Sequence, residues 1–106
     1  MGRAAALEAL LAKGQDNALL RFSLGSEYLN AGDPGAAISH LERAVAQDSG
    51  YSAAWKLLGK AHAARGDDGG ARQAWEQGIA AAARKGDKQA EKEMAVFLRR
   101  LGKAQP

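Results

Sequence analysis

The chain has 106 residues and no cysteine, with 46% hydrophobic, 25% charged and 6% aromatic residues. This length and balance predict one globular domain with a modest core, and the lack of cysteine excludes disulfides, thiolate metal sites and thiol nucleophiles. The net charge of +3 is uneven, because residues 1–51 hold four basic and six acidic side chains and residues 52–106 hold eleven and six. The halves therefore carry −2 and +5. The second half is suited to an acidic partner, although a solvated basic helix would carry the same charges.

The first predicted element is a helix over residues 3–13, within the stretch MGRAAALEALLAKG. Glu8 interrupts its apolar run and no cleavage-like segment follows, so a signal peptide is not expected. No apolar segment of the sequence reaches the length of about 20 residues that crosses a bilayer. We therefore expect a cytoplasmic protein.

Residues 18–51 predict a hairpin of two helices. Apolar side chains recur at three- and four-residue steps in each helix, namely Leu20, Leu24 and Tyr28 and then Ile38, Leu41 and Val45. Between them, Gly32 suits the left-handed conformation that closes a helix, Asp33 suits the cap of the next helix, and Pro34 suits its first turn. Two helices joined by so short a corner lie antiparallel.

A second copy of this unit follows 34 residues later, over residues 52–85. The shift aligns Leu24-Gly25 with Leu58-Gly59, Gly32-Asp33 with Gly66-Asp67, and Leu41-Glu42 with Trp75-Glu76. The glycine- and aspartate-rich stretch after Gly66 is therefore predicted to be a corner, and it lacks the lysine and hydroxyl of a phosphate loop. One step back, Leu7-Glu8 aligns with Leu41-Glu42, so residues 3–13 look like the second helix of a half repeat.

The last predicted helix spans residues 88–101. Its apolar side carries Ala90, Met94, Phe97, Leu98 and Leu101. Because it lacks the Leu-Gly pair, we interpret it as a cap over the apolar edge of the second unit. The stretch RKGDK, residues 84–88, is the predicted connection, with one residue more than the period requires.

These residues resemble the tetratricopeptide repeat, whose period is 34 and whose pattern reads W-x2-L-G-x2-Y, then Ala, then a large apolar residue. Trp55, Leu58, Gly59, Ala71 and Trp75 match it in the second unit, and Leu24, Gly25, Tyr28 and Ala37 match it in the first. Arg21 stands where tryptophan is expected, His62 replaces the tyrosine, and neither unit ends in the usual proline. The resemblance covers about residues 18–85.

The resemblance implies an all-α fold, a short right-handed superhelix of antiparallel helix hairpins formed as a single domain over residues 1–106. It also implies that the first helix of each unit lines a concave groove for an extended or helical peptide. The predicted groove residues of the first unit are Leu19, Phe22, Ser26, Leu29 and Asn30, and those of the second are Ala53, Lys56, Lys60, Ala63 and Ala64. The groove is thus expected to be apolar at one end and basic at the other.

Lys56 and Lys60 lie four residues apart on one helix face, where like charges repel unless an anion lies between them. They are predicted either to hold a peptide carboxylate or to be solvated. Some family members clamp a C-terminal carboxylate, but Phe22 and Ser26 occupy the places of the required lysine and asparagine. Phe22 and Leu29 either grip an apolar partner residue or are covered by the chain itself.

The predicted function is a non-catalytic adaptor or chaperone-like module that binds another protein or peptide, either acidic or with a free C-terminal carboxylate. His40 and His62 have no second ligand at metal-binding spacing and the carboxylates do not converge, so we expect no cofactor and no enzyme. Two alternatives stay open. One is weak binding to nucleic acid or an anionic surface through the basic second half, and the other is self-association, for example as a homodimer.

Overall fold

The computed structural model describes residues 2–104, which form six helices and no strand. The helices are α1 (Arg3–Ala12), α2 (Ala18–Asn30), α3 (Pro34–Gln47), α4 (Ser52–Ala64), α5 (Asp68–Lys85) and α6 (Lys88–Ala104). Each helix packs against the one that follows it, and α4 also contacts α2 and α6. The predicted all-α stack of helix hairpins is confirmed. We call α2, α4 and α6 the A helices and α1, α3 and α5 the B helices.

The two hairpin corners are built alike. Gly32 and Gly66 have φ angles of 83° and 81°, a left-handed conformation that glycine adopts without a steric penalty. The aspartate after each glycine then caps the next helix. Asp33 Oδ1 accepts a hydrogen bond from the Ala36 amide at 3.1 Å, and Asp67 Oδ1 accepts one from the Gly70 amide at 2.9 Å. Both stretches are therefore corners, as their sequence predicts.

Each hairpin closes where a large B-helix side chain packs on an A-helix glycine. Gly25 and Gly59 are the eighth residues of α2 and α4. A Cβ atom would lie 2.7 Å from Leu41 Cδ2 at Gly25 and 2.5 Å from Trp75 Cδ1 at Gly59. The space of the missing side chain is thus already filled from the partner helix, which holds the two backbones close together.

The core is made of small side chains around a few large ones. Leu24, Leu41 and Met94 are the largest fully buried residues. Around them lie alanines with no exposed surface, including Ala37, Ala44, Ala54, Ala61 and Ala71. Since alanine adds little width, neighbouring helices approach closely along most of their length. An alanine-rich chain with few aromatic residues can therefore form its core from helices alone.

The connection before α6 is shorter than predicted. The sequence predicted residues 84–88, but α5 continues through Lys85 and only Gly86 and Asp87 separate the two helices. Alanines at 80–83 favour continued helix, and the Asp87 carboxylate caps α6 by accepting from the Ala90 amide at 3.1 Å. Helices α4 and α6 begin 36 residues apart, so this unit exceeds the 34-residue period by two residues and not by the predicted one, and the longer α5 takes up the excess. At this junction the Met94 side chain packs over Gly78.

The consecutive glycines at the start of α5 are not equivalent. A Cβ at Gly70 would lie 2.6 Å from His62 Nδ1 and 2.5 Å from Asp67 Oδ2, so the hairpin corner leaves no room for a side chain there. At Gly69 the nearest atom is Asp67 Oδ1 at 3.8 Å, an ordinary contact. Packing thus accounts for one of the two glycines.

Replacing Gly59 with alanine is expected to lower the free energy of unfolding by roughly 1–3 kcal/mol, because overpacking against Trp75 outweighs the better helix propensity of alanine. The matched control is Gly69→Ala, which is expected to be neutral or stabilising by up to about 1 kcal/mol. Urea unfolding followed by circular dichroism measures both variants. Equal effects at the two positions would contradict this account of hairpin closure.

Candidate functional site

The three A helices lie side by side, because α4 contacts both α2 and α6. Counted from the first residue of each helix, the predicted groove residues occupy positions two, five, nine, twelve and thirteen of α2 and α4. The same positions on α6 are Gln89, Lys92, Val96, Arg99 and Arg100. We call the surface formed by these positions on all three helices the A-helix face.

The apolar end of the A-helix face is partly occupied by the protein's own packing. Phe22 and Leu29 are half-buried and pack against the core, whereas Leu19 is 66% exposed. The centroids of the Phe22 and Tyr51 rings are 5.1 Å apart. Burial raises the pKa of the Tyr51 hydroxyl. Tyr51 therefore belongs to the hairpin junction as well as to the edge of the A-helix face.

The other two predicted positions on α2 are polar. Ser26 is half-buried and Asn30, the last residue of α2, is exposed. On α4 the corresponding positions are Lys60 and Ala64, while Ala63 packs beneath against the cluster that contains Trp75. The A-helix face thus changes from polar and apolar on α2 to cationic on α4.

The lysine pair on α4 already has an anion beside it, supplied by α6. Lys56 Nζ lies 2.7 Å from Glu93 Oε1, and the Lys60 ammonium lies 5.2 Å from the centroid of the Phe97 ring. Glu93 also accepts a hydrogen bond from Gln89 Nε2 at 3.3 Å. Lys56, and then Gln89, hold the pKa of the Glu93 carboxyl below its usual range. Of the two predicted states of the lysines, contact with a peptide carboxylate or solvation, the structure shows neither for Lys56, because its carboxylate partner comes from within the chain.

Helix α6 adds to the site three residues that the sequence analysis missed. Lys92, Arg99 and Arg100 are exposed on the A-helix face. The apolar pattern of residues 88–101 predicted only a cap, and the missing Leu-Gly pair hid the alignment with α2 and α4. Counting from the Asp87 cap would have revealed it, because Lys92 is then the fifth residue, like Phe22 and Lys56.

An apolar notch opens beside the lysines. It has a volume of about 260 Å³ and is lined by Trp75, Phe97, Leu101 and Arg100. The Trp75 and Phe97 rings lie 5.3 Å apart, and Trp75 Nε1 donates a hydrogen bond to the Lys56 carbonyl oxygen at 3.0 Å. The residue that closes the second hairpin therefore also fixes the backbone of the lysine pair.

The histidines take part in packing at the corners and between the helices. His40 stacks on Tyr28 at 5.5 Å, and its Nδ1 lies 3.1 Å from Arg21 Nη1. Burial is the main reason why the pKa of His40 is lowered. Arg21, which replaces the expected tryptophan, forms a two-point ion pair with Asp16 at 2.8 and 2.9 Å. This pair, with a hydrogen bond from Gln47, strongly lowers the pKa of the Asp16 carboxyl.

His62, in the tyrosine position of the second unit, faces an outer cleft between α3 and α5. The cleft has a volume of about 350 Å³ and is also lined by Glu42, Trp55 and Gln73. His62 Nδ1 lies 3.2 Å from Asp67 Oδ2, so the ring borders the cap of α5. Among residues 2–104, no group of three or more His, Asp or Glu side chains is arranged to hold a metal ion, and no helix is long and apolar enough to cross a membrane.

Paired helices that close at a glycine, capped by a Gly-Asp corner and repeated every 34 residues, define a helical repeat protein. The sequence model of the tetratricopeptide repeat matches residues 22–88, more than half of the chain. The chain belongs to the tetratricopeptide repeat family. Repeats of this family generally mediate protein–protein interaction and are generally non-catalytic.

Two relatives cover nearly the whole chain. The chain is 68% identical over 98 residues to TPR repeat-containing protein PA0015 of Pseudomonas aeruginosa, a match that spans 92% of this chain and 93% of that protein. The solution structure of protein BPP2914 from Bordetella parapertussis superposes with a TM-score of 0.86 at 51% sequence identity. The match covers 98% of this chain and 90% of the Bordetella parapertussis chain. The whole six-helix arrangement is therefore shared.

Replacing Lys56 with methionine is expected to raise the pKa of Glu93 towards the ordinary glutamate value of 4.5, because the Lys56 ammonium is the main stabiliser of the charged carboxylate. In the intact protein the contact should persist at neutral pH and be lost as the pH falls through the depressed pKa of folded Glu93. A carbon-detected NMR titration of the carboxyl group measures this. Lys60→Met is the control and should change the pKa less, since Lys60 acts on Glu93 through charge at longer range; a larger change with Lys60→Met would refute the assignment.

Proposed function

We propose that the A-helix face binds a segment of another protein that carries acidic side chains next to apolar ones. The observation that carries this proposal is the Lys56–Glu93 contact, because it places a carboxylate on the lysine pair in a well-formed geometry. A partner carboxylate would occupy the same side of α4. The partner carboxylate would therefore either replace Glu93 on Lys56 or bind beside it, at a position that already suits an anion.

Lys60 is the cation best placed to receive the partner. It is exposed, whereas the Lys56 side chain is 29% exposed and paired with Glu93. The Phe97 ring beneath Lys60 restricts its position without neutralising its charge. Lys92 and Arg99 extend the positive surface onto α6, so an acidic segment lying across α4 and α6 would meet cations along its length.

Apolar contacts would come from both sides of the lysines. Leu19 is exposed on α2, Phe22 and Leu29 are half-buried further along the same helix, and the notch at Trp75 and Phe97 lies on the α6 side. An apolar partner side chain in this notch would be flanked by Lys60 and Arg100. This arrangement favours a segment of mixed acidic and apolar residues over a purely charged one.

Acidic side chains fit this surface better than a free C-terminal carboxylate does. A carboxylate clamp of the family would need lysine and asparagine at the positions held here by Phe22 and Ser26. Nucleic acid is the less favoured alternative, because phosphate binding on α6 would lack aromatic stacking. Phe97 packs against Trp75 and Phe22 packs against Tyr51.

A Lys60→Glu variant is expected to weaken binding of a glutamate- and leucine-containing peptide by about fivefold to tenfold, the effect of losing roughly 1–1.4 kcal/mol at one charged contact. The control is Lys13→Glu, which changes the net charge equally at an exposed position after α1. Amide-shift titration gives the affinities and maps the contact. Equal loss in both variants, or shifts confined to α3 and α5, would refute the groove.

Removing the internal competitor is expected to have the opposite effect. Glu93→Gln should strengthen binding of the same peptide by up to about fivefold, since an exposed ion pair contributes about 0.2–1 kcal/mol. The glutamine-for-glutamate version of the peptide should gain little from this variant. If Glu93→Gln instead weakens binding of the acidic peptide, Glu93 contacts the partner and the exchange mechanism is wrong.

A further inference from the structure

Helix α1 is packed far less completely than the other B helices. None of its residues is buried, whereas α3 has five buried residues and α5 has six. Among residues 2–104, α2 is the A helix that packs along α1, and α3 is reached through the Glu8–His40 contact at 3.7 Å, but α3 and α5 each contact two A helices. Leu7, Leu10 and Leu11 consequently stay half-exposed. Helix α1 therefore has one side on which no A helix is packed within the described residues, and a further helix can pack there.

Helix α6, in turn, has no B helix of its own within the described residues. On α2 and α4 the eighth residue, Gly25 or Gly59, receives a large side chain from the B helix of its own hairpin. The eighth residue of α6 is Ala95, which is small and half-exposed. Within the described residues α6 contacts α4 and α5, both of which precede it, and no B helix of its own.

The eleventh residues of the A helices show the same pattern. Tyr28 of α2 stacks on His40 of α3, and His62 of α4 lies against Asp67 at the start of α5. On α6 the eleventh residue is Leu98, a half-buried apolar side chain. Ala95 and Leu98 thus form an apolar strip where α2 and α4 hold their B helices.

We propose that two copies of the chain stack head to tail, with α1 of one copy packed on α6 of the next as α3 packs on α2. The 34-residue alignment equates Leu7 with Leu41, so Leu7 of one copy would lie over Ala95 of the other. Helix α2 of the incoming copy would then lie beside α6, as α4 lies beside α2. The cleft of about 240 Å³ between α1 and α2, lined by Leu7, Leu10, Leu19 and Leu20, would lie at this junction.

The charges favour this order of the copies. Helices α1 and α2, residues 3–30, carry three acidic and three basic side chains, whereas α6 carries two acidic and five basic ones, so the head-to-tail contact joins a neutral surface to a cationic one. The exposed residues of α6 include Lys88, Lys92, Arg99 and Lys103. Two copies stacked by their α6 ends would instead bring these cations together. A second copy is therefore a better occupant in the head-to-tail order than in a two-fold one.

The contact uses different surfaces on the two copies, so it does not close on itself. Association should be weak, dependent on concentration and open-ended. It would also lengthen the A-helix face, because α2 of the next copy continues the row formed by α2, α4 and α6. Stacking needs no partner protein and is separable from peptide binding at Lys60.

Cysteine cross-linking tests the register, because the chain has no cysteine of its own. Mild oxidation of a mixture of Leu7→Cys and Ala95→Cys is expected to give a disulfide-linked heterodimer as the main dimer. The control mixture pairs Leu7→Cys with Ala83→Cys, an exposed position on α5. Equal yield in the control, or more Leu7–Leu7 than Leu7–Ala95 product, would overturn the head-to-tail arrangement.

Sedimentation of the unmodified chain tests the affinity. Its weight-average mass is expected to rise above the 11.1 kDa of one chain as concentration increases, because the apolar contact between α1 and α6 forms between copies. Ala95→Arg should keep the helical circular dichroism and stay at the mass of one chain throughout. A wild-type mass that stays at one chain across the range, or an Ala95→Arg variant that still associates, would refute the proposal.

Discussion

The close approach of paired helices at a glycine is the constraint on which the rest of the structure depends. Leu41 and Trp75 occupy the space that a side chain at Gly25 or Gly59 would need. Because the backbones then lie close together, alanines suffice to fill the remaining contact, and each corner needs only three residues, the last two of which are Gly-Asp. Spacing of the A helices, and hence the shape of their common face, follows from this closure.

Trp75 connects this constraint with the candidate site. Its ring covers Gly59 from one side and packs against Phe97 of α6 on the other, and its indole nitrogen binds the Lys56 carbonyl oxygen. The first unit has Leu41 at the same position, which can fill space but cannot donate a hydrogen bond. Trp75, which is larger than Leu41 and has a hydrogen-bond donor, thus lies where the core, the lysine pair and α6 meet.

Most of the fold could be predicted because its determinants are local. The Gly-Asp corners, the helical spacing of apolar residues and the 34-residue period each depend on side chains a few positions apart or one repeat apart. The position of α6 depends instead on how far α5 continues, and a helix of alanines gives no sequence signal for its end until Gly86 and Asp87. The pairing of Lys56 with Glu93 therefore could not be read from the period, although the need for an anion beside the lysines could.

The ion pair across α4 and α6 changes what the basic surface can select. Two lysines without a carboxylate would attract any anion at long range, with affinity set mainly by charge and salt. With Glu93 in place, an incoming carboxylate gains only the difference between its own contacts and those it displaces. Discrimination must then come from neighbouring apolar contacts, at Leu19 on one side and the Trp75–Phe97 notch on the other. If the A-helix face binds an acidic segment as proposed, internal neutralisation makes shape and apolar fit, more than charge, decide which segment it holds.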